Sequence, residues 1–376
     1  MPGLIAHEWV APHGGSENVA ELMAETFPNA DILTLWNDAP SRFVGRRVRE
    51  TWLSRSPMRR HKALALPFMS PTWAAIDLRR YDWALVSSHV FAHHLGDARR
   101  GSATTAKFVY VHTPARTIWA PEQDSRGASG LVRLAAPVFR TLDRSHVSQR
   151  VQYAANSNYI KARIRHVWGQ DARVIYPPVN ASDLLNAPAD FTEEEQATLA
   201  NLPDGYVLGA SRFVPYKRLD LVMLAAAEVR RPVVIAGGGP EEGRLRELAA
   251  RLKVPVQFIA WPRNPLLHEL YRRASVFVFP AVEDFGIMPV EAMAAGVPVV
   301  VTSEGGARES VDLVDGGEIA EEAEIASFGR AINRAVSRDI SSVPARVVSA
   351  FGRERFQREI TEWIACADGN LSLPGA

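Results

Sequence analysis

Two glutamates eight positions apart, Glu283 and Glu291 in E-D-F-G-I-M-P-V-E, carry the clearest chemical signal in this chain. An apolar run ends at Pro280, a loop carries Glu283, Asp284, Phe285 and Gly286, and the pattern turns helical near Pro289. Proline suits a first helical turn, where its missing N–H costs nothing. The N–H groups of Ile287, Met288 and Val290 then face whatever precedes the helix and favour an anion. Glu291 is expected in that first turn, with Glu283 on the loop before it. Two carboxylates lack the third ligand of a metal cage, but they suit the vicinal hydroxyls of a sugar or ribose. The plainer alternative, acids that only cap the helix, leaves Gly286 unexplained.

Cations supply the complement. Arg212 and Lys217, in S-R-F-V-P-Y-K, follow the run Val207–Ala210. They fall at a strand's carboxyl end, where open α/β sheets bind ligands. A guanidinium fork beside an ammonium is equipment for a diphosphate, although surface cations also pair with acids. Asp220 reads as a helix cap or an arginine partner. Gly237-Gly238-Gly239-Pro240 lets backbone approach a ligand, without the spacing of a dinucleotide loop; Gly305-Gly306 is a similar turn. Near the N-terminus, P-H-G-G-S-E follows a strand pattern. The N–H groups around Gly14 and Gly15 could meet a phosphate there, or make an ordinary turn. His112 ends the run Lys107–His112, and Thr113-Pro114 forces an extended exit towards Arg116. A lone histidine at a strand end is more often structural than catalytic.

These residues need a scaffold that delivers them from strand ends, and the rest of the chain supplies one. Short apolar runs alternate with helical patterns throughout, the signature of parallel sheets wrapped by helices. About five candidate strands fall in each half, from Leu4–Val10 to Gln152–Ala155 and from Val207–Ala210 to Pro298–Val301. With 376 residues, two domains are the default. The seam is placed at V-I-Y-P-P-V-N, where adjacent prolines stop a helix. Residues 1–175 form the expected N-terminal domain and 176–352 the C-terminal one. In 353–376, Phe356, Ile360, Trp363 and Ile364 recur at helical spacing, and that helix is expected to cross back to the first domain. A net charge of +1 gives no general field for nucleic acid. The single cysteine, the missing secretory pattern and the absence of eighteen uninterrupted apolar residues point to a cytoplasmic chain. Locally, residues 42–62 hold eight Lys/Arg against one acid, from Arg42 to Lys62, with Phe43, Trp52, Leu53 and Met58 among them. That segment is either a solvated helical face or a patch for the anionic inner face of a membrane or an acceptor's phosphates.

Arg212/Lys217, the glycine turn and Glu283-x7-Glu291 together resemble the retaining glycosyltransferases of family 4, over about 100 residues. The resemblance implies the α/β GT-B fold, with two Rossmann-like doubly wound domains facing across a cleft and the donor held mainly by the second. It implies that Glu283 faces the donor sugar with Phe285, Gly286 and Ile287 beside it. Glu291 would hold the ribose, Arg212 and Lys217 the diphosphate, and G-G-S-E would close over that diphosphate. Y-V-H-T-P-A-R-T-I-W resembles a mannosyltransferase-like branch, with Thr117 where that branch has tyrosine. By the same carry-over His112 lies near the transferred sugar, and Ser88, His89 and Arg116 lie on the acceptor side. Ala155-Asn156-Ser157 matches an end-of-domain loop.

The activity so implied is transfer of a hexose, mannose from GDP-mannose in the first instance, to a lipid-linked or saccharide acceptor. Retention suggests front-face transfer, in which the departing phosphate deprotonates the acceptor. No D-x-D triplet occurs, so no metal or other cofactor is expected. Base selectivity is expected near Trp261-Pro262 and the Gly237–Gly239 turn. Two rivals share the architecture: a nucleotide-sugar epimerase, which needs no acceptor surface, and a non-catalytic sugar-nucleotide-binding protein, which needs no His112.

Overall fold

The computed structural model describes residues 2–96, 105–120, 130–180, 184 and 190–366. The chain divides into two compact units, Met1–Pro178 with Arg353–Ala376, and Val179–Gly352.

The first unit holds seven parallel strands: β1 Gly3–His7, β2 Asp31–Thr34, β3 Val48–Glu50, β4 Trp83–Ser88, β5 Ala106–Val111, β6 Gln152–Ala155 and β7 Arg173–Val174. Their order is β3-β2-β1-β4-β5-β6-β7. Alternate residues of β1 and β4 enter different cores. Leu4, Ala6, Ala84 and Val86 pack on one face, and Ile5, Trp83 and Leu85 on the other. A sheet covered on both faces needs strands apolar at every position, which is why they appear as unbroken runs. The helix Arg353–Cys366 adds Phe356, Ile360, Trp363 and Ile364 to the second of these cores, with Phe108 and Tyr110.

The second unit holds β8 Val207–Arg212, β9 Val233–Gly238, β10 Val256–Ala260, β11 Val276–Phe279, β12 Val299–Thr302 and β13 Gly317–Ala320. Their order, β10-β9-β8-β11-β12-β13, repeats the 3-2-1-4-5-6 pattern of a doubly wound sheet. Val207, Val233, Ile235, Val276 and Val300 pack with Phe328 and Ile332 of the helix Ile325–Val336. In both units the strand order reverses beside the first strand, between β1 and β4 and between β8 and β11. That reversal opens a crevice at the carboxyl ends.

The basic segment departs from the expected helical face. It folds as β3 flanked by short 3-10 turns at Pro40–Arg42, Trp52–Arg55 and Pro57–Arg60. Five of its eight cations are spent inside the unit, Lys62 with its ammonium 4.2 Å from the centre of the Trp9 ring. Arg42 donates to Pro12 O at 2.8 Å and Glu21 Oε2 at 2.9 Å, and Arg46 to Ala24 O at 2.6 Å. Arg49 donates to the Tyr81 hydroxyl at 3.1 Å and Arg59 Nε to Asp38 Oδ1 at 2.9 Å. Arg47, Arg55 and Arg60 are exposed.

Candidate active site

In the second unit, β8 ends on Arg212, an exposed guanidinium that donates to the Tyr216 hydroxyl at 3.1 Å. A 3-10 turn, Pro215–Lys217, then carries Lys217 inward. Its ammonium is buried and paired with the Glu283 carboxylate, 66 residues further along the chain. It also lies 5.1 Å from the centre of the Phe279 ring. Asp220 accepts from Arg218 Nε at 3.3 Å, so it serves as an arginine partner.

The loop bearing Glu283 is held by two glycines that the sequence alone leaves ambiguous. The Gly306 N–H donates to Glu283 O at 2.7 Å. A side chain at Gly305 would meet that same carbonyl at 2.9 Å, and one at Gly306 would meet Asp284 O at 2.2 Å. Gly286, at φ 84°, is the residue before the helix Ile287–Ala294, and no side chain caps that helix. The left-handed turn lets the helix begin at once. Glu291 therefore stands in its second turn rather than the first, with Ile287 and Met288 leading. Burial pushes the Glu291 carboxyl up to about 7, partly offset by the Tyr271 hydroxyl beside it. Gly237 and Gly239 have φ of 132° and 152°, and a side chain at Gly237 would meet Ser211 O at 1.9 Å. The glycine turn is thus needed for β9 to leave the sheet beside β8.

In the first unit, three histidines meet at the carboxyl ends of β1, β4 and β5. The Ser87 hydroxyl stands 3.0 Å from His7 Nδ1 and 2.8 Å from His112 Nε2. With one proton it donates to one ring and accepts from the other, so the two tautomers are linked. Burial, aided by His7, pushes His112 down to about 3, and burial likewise lowers His7. Both rings are neutral near pH 7. His89 stands edge-on to Trp9 at 4.6 Å and 6.3 Å from His112, while Asn156 Nδ2 donates to His112 O at 3.0 Å. Ser88 lies 3.2 Å from His93 Nδ1. Arg116 opens the short helix Arg116–Trp119, beyond the Thr113-Pro114 exit. Gly14 and Gly15 lead into the helix Gly15–Thr26, where the Glu17 carboxylate folds back over Gly14 and accepts from Ser16 Oγ at 2.8 Å.

Two buried acids that sequence reasoning missed hold this edge. Glu8 accepts from the N–H of Val90 at 2.7 Å and of Ala92 at 2.6 Å, fixing the loop that carries His89. Its carboxyl is raised by burial. Asp143, with His93 and His94, has spacing that could hold a metal ion. Its contacts describe a hydrogen-bonded hub instead. Oδ1 lies 2.9 Å and 3.1 Å from the two Nε2 atoms, and Oδ2 accepts from the Trp119 and Trp168 indoles, both at 2.7 Å. Although burial opposes its charge, the two imidazoles hold Asp143 below the usual carboxylate range.

The sequence profile described as glycosyl transferases group 1 matches residues 190–348, which span Arg212, Lys217, Glu283 and Glu291. Residues 190–348 are a glycosyl transferases group 1 domain. Among curated relatives, a GDP-mannose-dependent alpha-(1-6)-phosphatidylinositol monomannoside mannosyltransferase of Mycobacterium tuberculosis is 34% identical over 180 residues, 41% of this chain and 44% of that protein. A D-inositol 3-phosphate glycosyltransferase of Streptomyces bingchenggensis is 35% identical over 164 residues, 38% of this chain and 35% of that one. The chain spans about half the length, or less, of the curated relatives it matches. Among solved structures, Anabaena Alr3699/HepE in complex with UDP superposes with a TM-score of 0.72 over 97% of this chain and all (100%) of that one, at 19% identity. Sucrose-phosphate synthase from Thermosynechococcus elongatus gives 0.70 over 97% and 98%, at 17% identity. At such identities the likeness is one of fold. The group 1 domain and its partner unit are the two Rossmann-like halves of the GT-B fold that the sequence led us to expect.

Proposed function

We propose that the chain is a retaining, family 4-like hexosyltransferase that takes mannose from GDP-mannose to a hydroxyl of a lipid-linked or saccharide acceptor. The observation that carries this reading is the Lys217–Glu283 pair at the strand-order reversal, inside the group 1 domain. A donor offers each member its own partner, the diphosphate for Lys217 and a sugar hydroxyl for Glu283. Arg212 and the amides of Ile287 and Met288 add charge stabilisation as the diphosphate leaves. His112, neutral and partly exposed, is suited to hydrogen-bonding the sugar. Metal independence and front-face retention belong to the same proposal, and the name of the mycobacterial relative supports mannose.

A lipid-linked acceptor is supported by the exposed side chains of residues 44–68. Trp52, Leu64 and Phe68 stand in solvent in the same stretch as Arg47, Arg55 and Arg60. Among the described residues no helix is long and apolar enough to cross a membrane, so contact with anionic lipid would be peripheral.

The test is a thermal-shift panel of GDP-, UDP-, ADP- and dTDP-sugars on the full chain. Incubation with the stabilising donor follows, alone and then with acceptor, in chelator. GDP-mannose stabilisation and an acceptor-dependent product of retained anomeric configuration by NMR are expected. Conversion of donor alone favours the epimerase, binding without turnover favours the binding protein, and an inverted product or a magnesium requirement refutes the mechanism.

A further inference from the structure

Asp143 is fully buried in the helix Gly130–Ser145, and the transfer proposed above makes no use of its charge. A buried ionic cluster is often matched in stability by well-packed apolar side chains, so stability alone does not account for it. What the carboxylate supplies is geometry. Its Oδ1 lies 2.9 Å from His93 Nε2 and 3.1 Å from His94 Nε2. A ring lone pair turned on a carboxylate at that range would be repelled, so both Nε2 atoms carry the proton. Each Nδ1 is then an acceptor, for His93 from the Ser88 hydroxyl at 3.2 Å and for His94 from the Ser70 hydroxyl at 2.7 Å. The His93 N–H in turn donates to Ser88 Oγ at 3.3 Å. The Ser88 hydroxyl is thus committed inward, while its carbonyl accepts from the His112 N–H at 2.8 Å.

The other carboxylate oxygen governs the exit of β5. The helix Arg116–Trp119 is a single turn, and a turn that short does not hold itself in water. The Trp119 indole donates to Asp143 Oδ2 at 2.7 Å and Arg140 Nε to Ile118 O at 2.9 Å, so the turn is fastened from outside. Oδ2 also accepts from Trp168, which ends the helix Asn158–Trp168. One carboxylate therefore sets the exits of two paired strands against each other, with His89 after β4 and Arg116 after β5. We propose that Asp143 is a positioning residue for acceptor binding, holding His89 and Arg116 in mutual register through His93 and Trp119. This rests on the function proposed above. There His112 meets the transferred sugar, so an acceptor attacking that sugar comes up beside it, among the residues that leave β4 and β5.

The test uses Asp143→Asn and Trp119→Phe in the full chain, with GDP-mannose as donor and octyl α-mannoside as the acceptor probe. An asparagine amide can serve all four neighbours, its oxygen the indoles and its nitrogen the imidazoles, once both histidines move their proton to Nδ1. Asp143→Asn should therefore fold. Nitrogen NMR should show His93 and His94 protonated at Nε2 in the parent and at Nδ1 in the variant. Its acceptor KM should rise about tenfold, with donor KM within about twofold of the parent. Trp119→Phe, which releases only the Arg116 turn, should raise acceptor KM about threefold and leave both tautomers as they are. A fall in kcat with both KM values unchanged, or an equal rise in both, shows a purely structural carboxylate and overturns the proposal. So does a parent protonated at Nδ1. If Asp143→Asn does not fold, the same kinetic outcomes in Trp119→Phe decide. A parent that transfers nothing to the probe overturns the proposed function as well.

Discussion

At the carboxyl edge of the first sheet, His7, Ser87 and His112 form a chain of neutral hydrogen-bonding groups over buried acids. At the corresponding edge of the second, Arg212, Lys217, Glu283 and Glu291 set charge beside glycine turns and a helix start. The strand order around the two crevices is the same, so topology supplies the place and not the chemistry. Neutral imidazoles can orient hydroxyls without drawing in an anion, whereas a cation edge draws phosphate first. The function proposed above would use one sheet edge for sugar and acceptor hydroxyls and the other for a nucleoside diphosphate.

The sharpest way to break this contrast is at the Lys217–Glu283 pair. Lys217→Ala should lower transfer kcat/KM by about 100- to 1000-fold and weaken GDP binding. Glu283→Ala should lower transfer as far while leaving GDP affinity close to the parent, because the partner proposed for it is the sugar. Each single variant strands a partly buried charge and should lose stability; the double variant should regain part of it. Equal effects of both variants on GDP affinity would show that the pair acts as one phosphate-binding unit.

On the neutral edge the effects should be smaller and confined to turnover. His112→Ala should cut kcat by about 100-fold with GDP affinity unchanged. Ser87→Ala, which unlinks the His112 tautomer from His7, should cut it by about tenfold. Nitrogen chemical shifts of His112 should change tautomer in Ser87→Ala. Loss of GDP affinity in either variant would erase the distinction between the edges.

The charged edge was far more legible in the sequence than the neutral one. Arg212, Lys217 and the Glu283–Glu291 loop sit within motifs whose spacing is local, and unbroken apolar runs gave the strands around them. The starting point of the helix at Ile287 was missed because it depends on the positive φ of Gly286. His7 was hidden inside what reads as a strand from Leu4 to Val10, although β1 stops at His7 and Glu8 turns into the loop after β4. Asp143 draws its partners from 93, 94, 119 and 168, and no local pattern announces such a gathering. β3 and β7 have three and two residues, too short for an apolar run. The charge run of 42–62 concealed β3, because long arginine side chains reach carbonyls such as Ala24 O and Ala30 O.

The finest separation of the two edges should come from pH. His112, at about 3, is silent across the neutral range, whereas Glu291, at about 7, titrates within it. Because burial raises Glu291, the folded state disfavours its charge. The fold loses stability as pH rises from the ordinary carboxyl range, 4.5, through about 7. Glu291→Gln removes that penalty, so its melting temperature relative to the parent should be higher at pH 8 than at pH 5. Donor binding should run the other way, since an ionised carboxylate accepts ribose hydroxyls best. GDP affinity of the parent should weaken about threefold to tenfold between pH 8 and pH 6. In Glu291→Gln that slope should vanish, while in His112→Ala it should persist. A parent whose GDP affinity is flat across this range would show that Glu291 meets the ribose uncharged or not at all. A slope lost in His112→Ala would show that the neutral edge takes part in holding the nucleotide.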